Sequence, residues 1–219
     1  MSLSARAVSI TVNGRMATFS LVHGAWGLGR QWDLVRAELE ARGHTVHTPD
    51  MPCEDIDAGV DEYVAAVPPC DIVVGHSLGG LTIPYVDARL HVFLCALVAD
   101  NDMRWEDVFV EGFGAGRERD ELGRSYYPDP AVAAVEMQYP SEHAHLAGLL
   151  RRQAPYGTDP RRPEHPAYIV CSRDAVIRPD WQRHAARDIL GIEPIELDAG
   201  HMPMLDSPLR LAETLHGLA

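Results

Sequence analysis

The sequence predicts an α/β protein: a mostly parallel sheet flanked on both faces by helices, with a short helical lid. Three observations carry this prediction. Strand-sized runs such as Asp71–Gly75 and His91–Val98 are apolar almost throughout, as strands buried on both faces must be. Segments with helical spacing separate them, for example Arg30–Arg42 with Trp32, Leu34, Val35 and Leu39. One interval, about 100–163, breaks the alternation with clustered charges and prolines.

In chain order, Val8–Val12, Asn13-Gly14 and Met16–Val22 predict a hairpin, because Asn-Gly supplies the positive-φ pair of a tight turn. Ala17–Val22 is a strand, Arg30–Arg42 a helix closed by Gly43, and Thr45–Thr48 a strand. Ala58–Val67 is a helix, Asp71–Gly75 a strand, Leu78–Ala88 a helix and His91–Val98 a strand. After the interruption come a strand at Ala167–Cys171, a helix at Asp180–Leu190, a strand at Pro194–Leu197 and a helix at Pro208–Leu218. Within the lid, Ala131–Met137 and His143–Arg152 are weakly helical. Insertions of this kind over a sheet edge carry function more often than core packing. A single domain over residues 1–219 is expected, since the length suits one core and no repeat or linker interrupts it.

The formal net charge of −13 opposes nucleic acid and anionic membrane surfaces. No apolar run approaches the length of a membrane span, and Met1–Asn13 lacks the pattern of a signal peptide. All nineteen basic residues are arginine, which excludes Schiff-base chemistry and a lysine base and fits the codon usage of a GC-rich bacterium. Cys53, Cys70, Cys95 and Cys171 have no metal spacing and read as buried small hydrophobes in a reducing cytoplasm.

The chemistry is concentrated at Gly75-His76-Ser77-Leu78-Gly79. An apolar strand precedes this run and a helical pattern follows it, the context in which such a serine stands on a strained turn above the sheet edge. Side chains at positions 75 and 79 would collide in the turn, hence the glycines. The Leu78 amide and the following helix dipole are expected to favour an oxyanion. A Walker lysine and a GxGxxG spacing are both missing, so a phosphate cradle does not fit.

A serine hydroxyl needs a base, and the base needs an acid to fix its tautomer. After this elbow, acid and histidine follow in that order. Asp174 lies just beyond the strand ending at Cys171, and His201 lies in the loop after the last strand. Asp100 and Asp102 are alternative acids, while Asp198 is assigned to turning the loop. The second oxyanion donor is expected at Ala25, in the turn after the first long strand. Trp26 beside it is a candidate pocket residue, and His23 is read as structural.

The segments His23-Gly-Ala-Trp, Gly75-His-Ser-Leu-Gly-Gly, Asp174 after Ile-Val-Cys-Ser-Arg, and Gly200-His-Met-Pro-Met-Leu together resemble one subgroup of the α/β-hydrolase fold. That subgroup holds plant methylesterases and hydroxynitrile lyases with many bacterial relatives. The resemblance covers about residues 16–100 and 165–219; the lid is shorter and matches poorly. It implies a triad of Ser77, Asp174 and His201, with Ala25 and Leu78 as oxyanion donors. The lyases carry a lysine directly after the catalytic histidine, and here that position is Met202. Haloalkane dehalogenases need an aspartate where Ser77 stands.

The resulting expectation is hydrolysis of a small carboxylic ester through an acyl-enzyme, with no metal or organic cofactor and no nucleic-acid or membrane partner. A thioesterase, a lactonase, a secondary-metabolism tailoring enzyme and a ligand-binding protein retaining the triad remain alternatives. Trp26, Tyr127, Trp105, Tyr126 and Phe113 are candidate pocket residues, each equally able to pack the lid onto the core. The oligomeric state is left open, a homodimer included.

Overall fold

The computed structural model describes residues 16–219, so the expected hairpin through Asn13-Gly14 lies outside the described residues. From the amino end the elements are β1 (Thr18–Val22), α1 (Asp33–Ala41), β2 (Thr45–His47), α2 (Val60–Ala65), β3 (Ile72–His76) and β4 (Leu90–Leu94). The lid segment contributes α3 (Trp105–Val108), a small hairpin of β5 (Glu118–Arg119) and β6 (Ser125–Tyr126), and α4 (Pro130–Glu136). The chain returns to the sheet with β7 (Pro166–Cys171), α5 (Pro179–His184), β8 (Ile195–Leu197), α6 (Pro203–Asp206) and α7 (Pro208–His216).

The main sheet has six strands in the order β2-β1-β3-β4-β7-β8, every neighbouring pair parallel. All carboxyl ends therefore meet at one edge, where sheets of this kind bind ligands. Strand alternation divides the core into two layers. Phe19, Leu21, Ile72, Val74, Val92 and Leu94 face α1 and α7, whose Val35, Leu39, Leu211 and Leu215 are fully buried against them. Val73, Phe93, Tyr168 and Val170 point the other way, toward Ile83, Val176, Trp181 and Ala185. Each such aliphatic side chain contributes about 1.5–3 kcal/mol on burial.

Three elements differ from expectation. Leu78–Ala88 is not an α-helix but two short 3-10 turns, Ser77–Leu81 and Ile83–Tyr85. Gly79-Gly80 weakens helix formation and Pro84 lacks the amide an α-helix would need there. The strand expected over His91–Val98 ends at Leu94, because Cys95 takes φ 35° and turns the chain out of the ladder. The helix expected over Asp180–Leu190 passes at Ala185–Ile189 into a π-turn, with Leu190 N–H donating to Ala185 O at 3.0 Å. Among the described residues no helix is long and apolar enough to cross a membrane.

Candidate active site

Ser77 follows directly on β3 with φ 51°, a left-handed conformation that costs energy in a non-glycine residue. The turn is tight enough to exclude side chains beside it. A Cβ on Gly75 would lie 2.7 Å from Gly79 O and 2.8 Å from Ile83 Cγ2. A Cβ on Gly24 would lie 2.8 Å from Ser77 Cβ, so the turn after β1 presses directly against the serine. That turn closes through Gly27 N–H to Gly24 O at 3.2 Å, a bond that leaves the Ala25 amide uninvolved. Ala25, Leu78 and Ser77 share one cavity of about 430 Å³. With only a 3-10 turn behind it, Leu78 can offer its amide, while the expected helix dipole is largely missing.

Asp174 and His201 lie beyond the carboxyl ends of β7 and β8 and meet with both side chains fully buried. His201 Nδ1 stands 2.9 Å from Asp174 Oδ2. The carboxylate is otherwise saturated: Oδ1 accepts from Val176 N–H at 2.7 Å and Ile177 N–H at 3.0 Å, and Oδ2 accepts from Gln182 Nε2 at 2.9 Å. Gln182, itself fully buried, also donates to Ile177 O at 2.8 Å and accepts from Cys171 N–H at 2.9 Å. Val176, Ile177 and Gln182 all donate to the carboxylate, whose remaining acceptor capacity faces His201 Nδ1. His201 Nε2 is buried and has no hydrogen-bond partner among the described residues, Ser77 Oγ included. Such contacts are commonly loose until substrate binds.

The backbone of His201 is held at both polar atoms. Its amide donates to Gln138 Oε1 at 3.0 Å, and its carbonyl accepts from His76 Nε2 at 2.8 Å. Gln138, at φ 56° just past α4, also accepts from Ala175 N–H at 2.7 Å and donates to Arg173 O at 3.1 Å. One lid residue thus ties the Asp174 loop to the His201 loop. His76, inside the elbow, lies against His201 with ring centroids 4.8 Å apart. Burial, and then His201, hold His76 well below the ordinary histidine pKa. His23 is also buried: Nε2 accepts from Met51 N–H at 2.9 Å, which leaves Nδ1–H to donate to Gly24 O at 2.8 Å. Burial lowers its pKa to about 4, so His23 is a neutral strut for the Gly24 turn.

His76, Cys95 and His201 carry metal-ligating atoms within 4.8 Å of one another. This does not make a good metal site. His76 Nε2 already donates to His201 O, and burial pushes the Cys95 thiol well above its ordinary pKa, away from the thiolate that metals bind.

Trp26 and Trp105 both line the cavity, as does Phe113. Trp26 has φ 59°, and its indole Nε1 donates to Ser125 Oγ at 3.0 Å, linking the Gly24 turn to the lid. Tyr127 is not on the cavity wall: it packs edge-on behind Trp26 at 5.5 Å and donates to Glu136 at 3.0 Å. Tyr126 faces outward, its hydroxyl donating to Glu118 at 2.9 Å and its ring under Arg152. Strand parity decides this, since the neighbouring Ser125 is the residue that reaches the cavity. Of the alternative acids, Asp100 pairs with Arg162 at 3.0 Å and Asp102 is exposed; Asp198 pairs with Arg173 at 2.7 Å. Gln138 and Gln182 had no sequence signal, because neutral hydrogen-bonding residues form no motif; His76 stands within the elbow motif, which does not show that it holds the His201 carbonyl.

The chain belongs to the alpha/beta hydrolase family, which it matches over residues 21–214. Among characterised proteins it is 25% identical to Methylesterase 3 of Arabidopsis thaliana, covering 91% of this chain and 94% of that protein. It is 26% identical to Norfluorocurarine synthase 1 of Strychnos nux-vomica over 92% of this chain and 94% of the relative. Among solved structures, that of a pyrethroid hydrolase superposes with a TM-score of 0.73 at 23% identity, covering 92% of this chain and 96% of the other. The resemblance to the methylesterase subgroup read from the sequence therefore holds.

Proposed function

We propose that the protein hydrolyses a small carboxylic ester through an acyl-enzyme formed on Ser77. The observation that carries this is the buried Asp174–His201 pair beside the strained serine, with His201 Nε2 the one polar atom of the pair left unpartnered. Ser77 Oγ attacks the ester carbonyl as His201 Nε2 takes its proton. Asp174 stabilises the imidazolium, and the Ala25 and Leu78 amides hold the oxyanion. The imidazolium then protonates the leaving alkoxide, and a water activated by His201 releases the acid. Similarity to Methylesterase 3 supports the ester class.

The test is turnover of 4-nitrophenyl acetate together with fluorophosphonate labelling. Wild type should be labelled at Ser77, and Ser77→Ala should lose both labelling and turnover while keeping its melting temperature. Undiminished turnover in Ser77→Ala would sink the assignment. A second reading, a tailoring reaction using the same pocket, is favoured by the likeness to Norfluorocurarine synthase 1. Product analysis decides it, since a rearranged or eliminated product without net addition of water identifies the tailoring reaction.

A further inference from the structure

The lid hairpin gives the Ser77 cavity a charge. β5 and β6 pair antiparallel, with Glu118 opposite Tyr126 and Arg119 opposite Ser125. Residues opposite each other share a face, and residues two apart in extended chain share it as well. Arg117, Arg119 and Ser125 accordingly line the cavity, whereas Glu118 and Tyr126 bond to each other outside it. The two-residue period therefore turns both cations toward the cavity, where they stay solvent-exposed, and the intervening anion away from it.

The guanidinium of Arg117 lies 5.2 Å from the ring centroid of Trp26 and 5.1 Å from that of Phe113. Its Nε donates to Gly114 O at 3.3 Å, and Arg119 donates to Gly123 O at 2.8 Å. Among the described residues neither arginine forms an ion pair. The carboxylate of Glu136 is occupied by Gly114 N–H, Gly116 N–H and the Tyr127 hydroxyl. Trp26 follows Ala25 directly, so Arg117 stands one indole ring from the amide placed to hold the oxyanion. In a chain of net charge −13, two exposed arginines lining the cavity that holds Ser77 are a local reversal of sign.

We infer that the preferred substrate is an ester that also carries a carboxylate, a half-ester of a dicarboxylic acid, with Arg117 and Arg119 receiving the free carboxylate. This rests on the ester-hydrolase reading above. The guanidinium fork matches a carboxylate in two-point contact. Trp105, Phe109 and Phe113 supply a flat apolar wall for the part of the acid between its two ends. A cationic substrate, the other usual guest of an aromatic wall, meets two like charges here.

The experiment compares monomethyl terephthalate with methyl 4-methylbenzoate, and monomethyl adipate with methyl heptanoate, following acid release with the full chain. In each pair kcat/KM should favour the anionic ester by about tenfold or more, a preference that falls as ionic strength rises. Arg117→Met should cut the anionic-to-neutral ratio about tenfold, and Arg117→Met/Arg119→Met should abolish it; Arg117→Lys should restore part of it. Calorimetric titration of Ser77→Ala with monomethyl terephthalate reads recognition without turnover and should show binding that Arg117→Met removes. Equal kcat/KM within both pairs, or an Arg117→Met loss shared alike by anionic and neutral esters, overturns the inference and identifies Arg117 as a lid clamp. Loss of the ester-hydrolase reading shows differently, as cleavage of no ester and no fluorophosphonate label at Ser77.

Discussion

Gln138 Oε1 accepts a hydrogen bond from the backbone amide of His201 at 3.0 Å. The same oxygen takes the Ala175 amide, and the amide nitrogen of Gln138 grips Arg173 O, so a residue of the lid sets the spacing of the loops that carry Asp174 and His201. Gln138 is a positioning residue in the proposed mechanism. Gln138→Ala should lower kcat about tenfold with a smaller change in KM, since misplacement by a fraction of an ångström weakens proton transfer more than binding. Gln138→Glu keeps both accepted hydrogen bonds and adds a negative charge beside His201. It should recover part of kcat and move the acidic limb of the kcat/KM profile upward, because a nearby anion favours the imidazolium. An unmoved limb would reduce Gln138 to a structural tie.

Asp174 receives four hydrogen bonds, one of them from His201 Nδ1. Asp174→Asn turns one acceptor into a donor, which favours the wrong His201 tautomer. A fall in kcat of roughly ten-thousandfold is expected, and ester turnover measured with the melting temperature separates this from unfolding.

Gly24→Ala would place a methyl group 2.8 Å from Ser77 Cβ and 3.1 Å from His76 Nδ1. Overpacking of this kind costs about 1–3 kcal/mol. Activity should fall much further than that stability loss accounts for, since the turn carrying Ala25 is pushed away from the nucleophile. Denaturant unfolding and 4-nitrophenyl acetate turnover, measured on the same preparation, check the two halves.

Acid should destabilise the protein before its carboxylates titrate. His23, buried and lowered to about 4 from 6.5, stays neutral in the folded chain while the unfolded chain takes up a proton. Stability is thus present above pH 6.5 and is lost as pH falls toward 4, by up to about 3 kcal/mol for this residue. His76, His44 and His91 are lowered as well, with burial the largest cause in each, and act in the same direction. Urea midpoints from pH 7 to pH 4.5 should fall steadily, and His23→Gln should flatten the slope; a flat wild-type profile would contradict the buried neutral histidines.

The sheet and the convergence on one edge were legible because each rests on a local signal. Apolar runs ending at Val22, Gly75 and Cys171, and the alternating Ile195-Glu196-Leu197, mark strands, and parallel pairing brings whatever follows them together. The elbow helix was misread because its periodicity masks Pro84 and the glycine pair, which leave only 3-10 turns. The lid was legible as an interruption and little more. Whether Ser125 or Tyr126 faces the cavity depends on the register of a two-residue strand, and tertiary contacts set that register. Gln138 and Gln182 act through neutral amides whose partners lie 37 and 8 residues away, a spacing no motif encodes.

His23, His76 and His201 place three buried imidazoles around one serine, and only one is paired with an acid. His23 has both ring nitrogens committed to backbone groups, His76 has its Nε2 committed to His201 O, and burial keeps both rings from charging. In the proposed mechanism, a proton leaving Ser77 therefore goes to His201. Under that proposal, burial makes two of the three rings poor places for charge, so the proton taken in the first half of the cycle would still be on His201 when the departing alkoxide needs it.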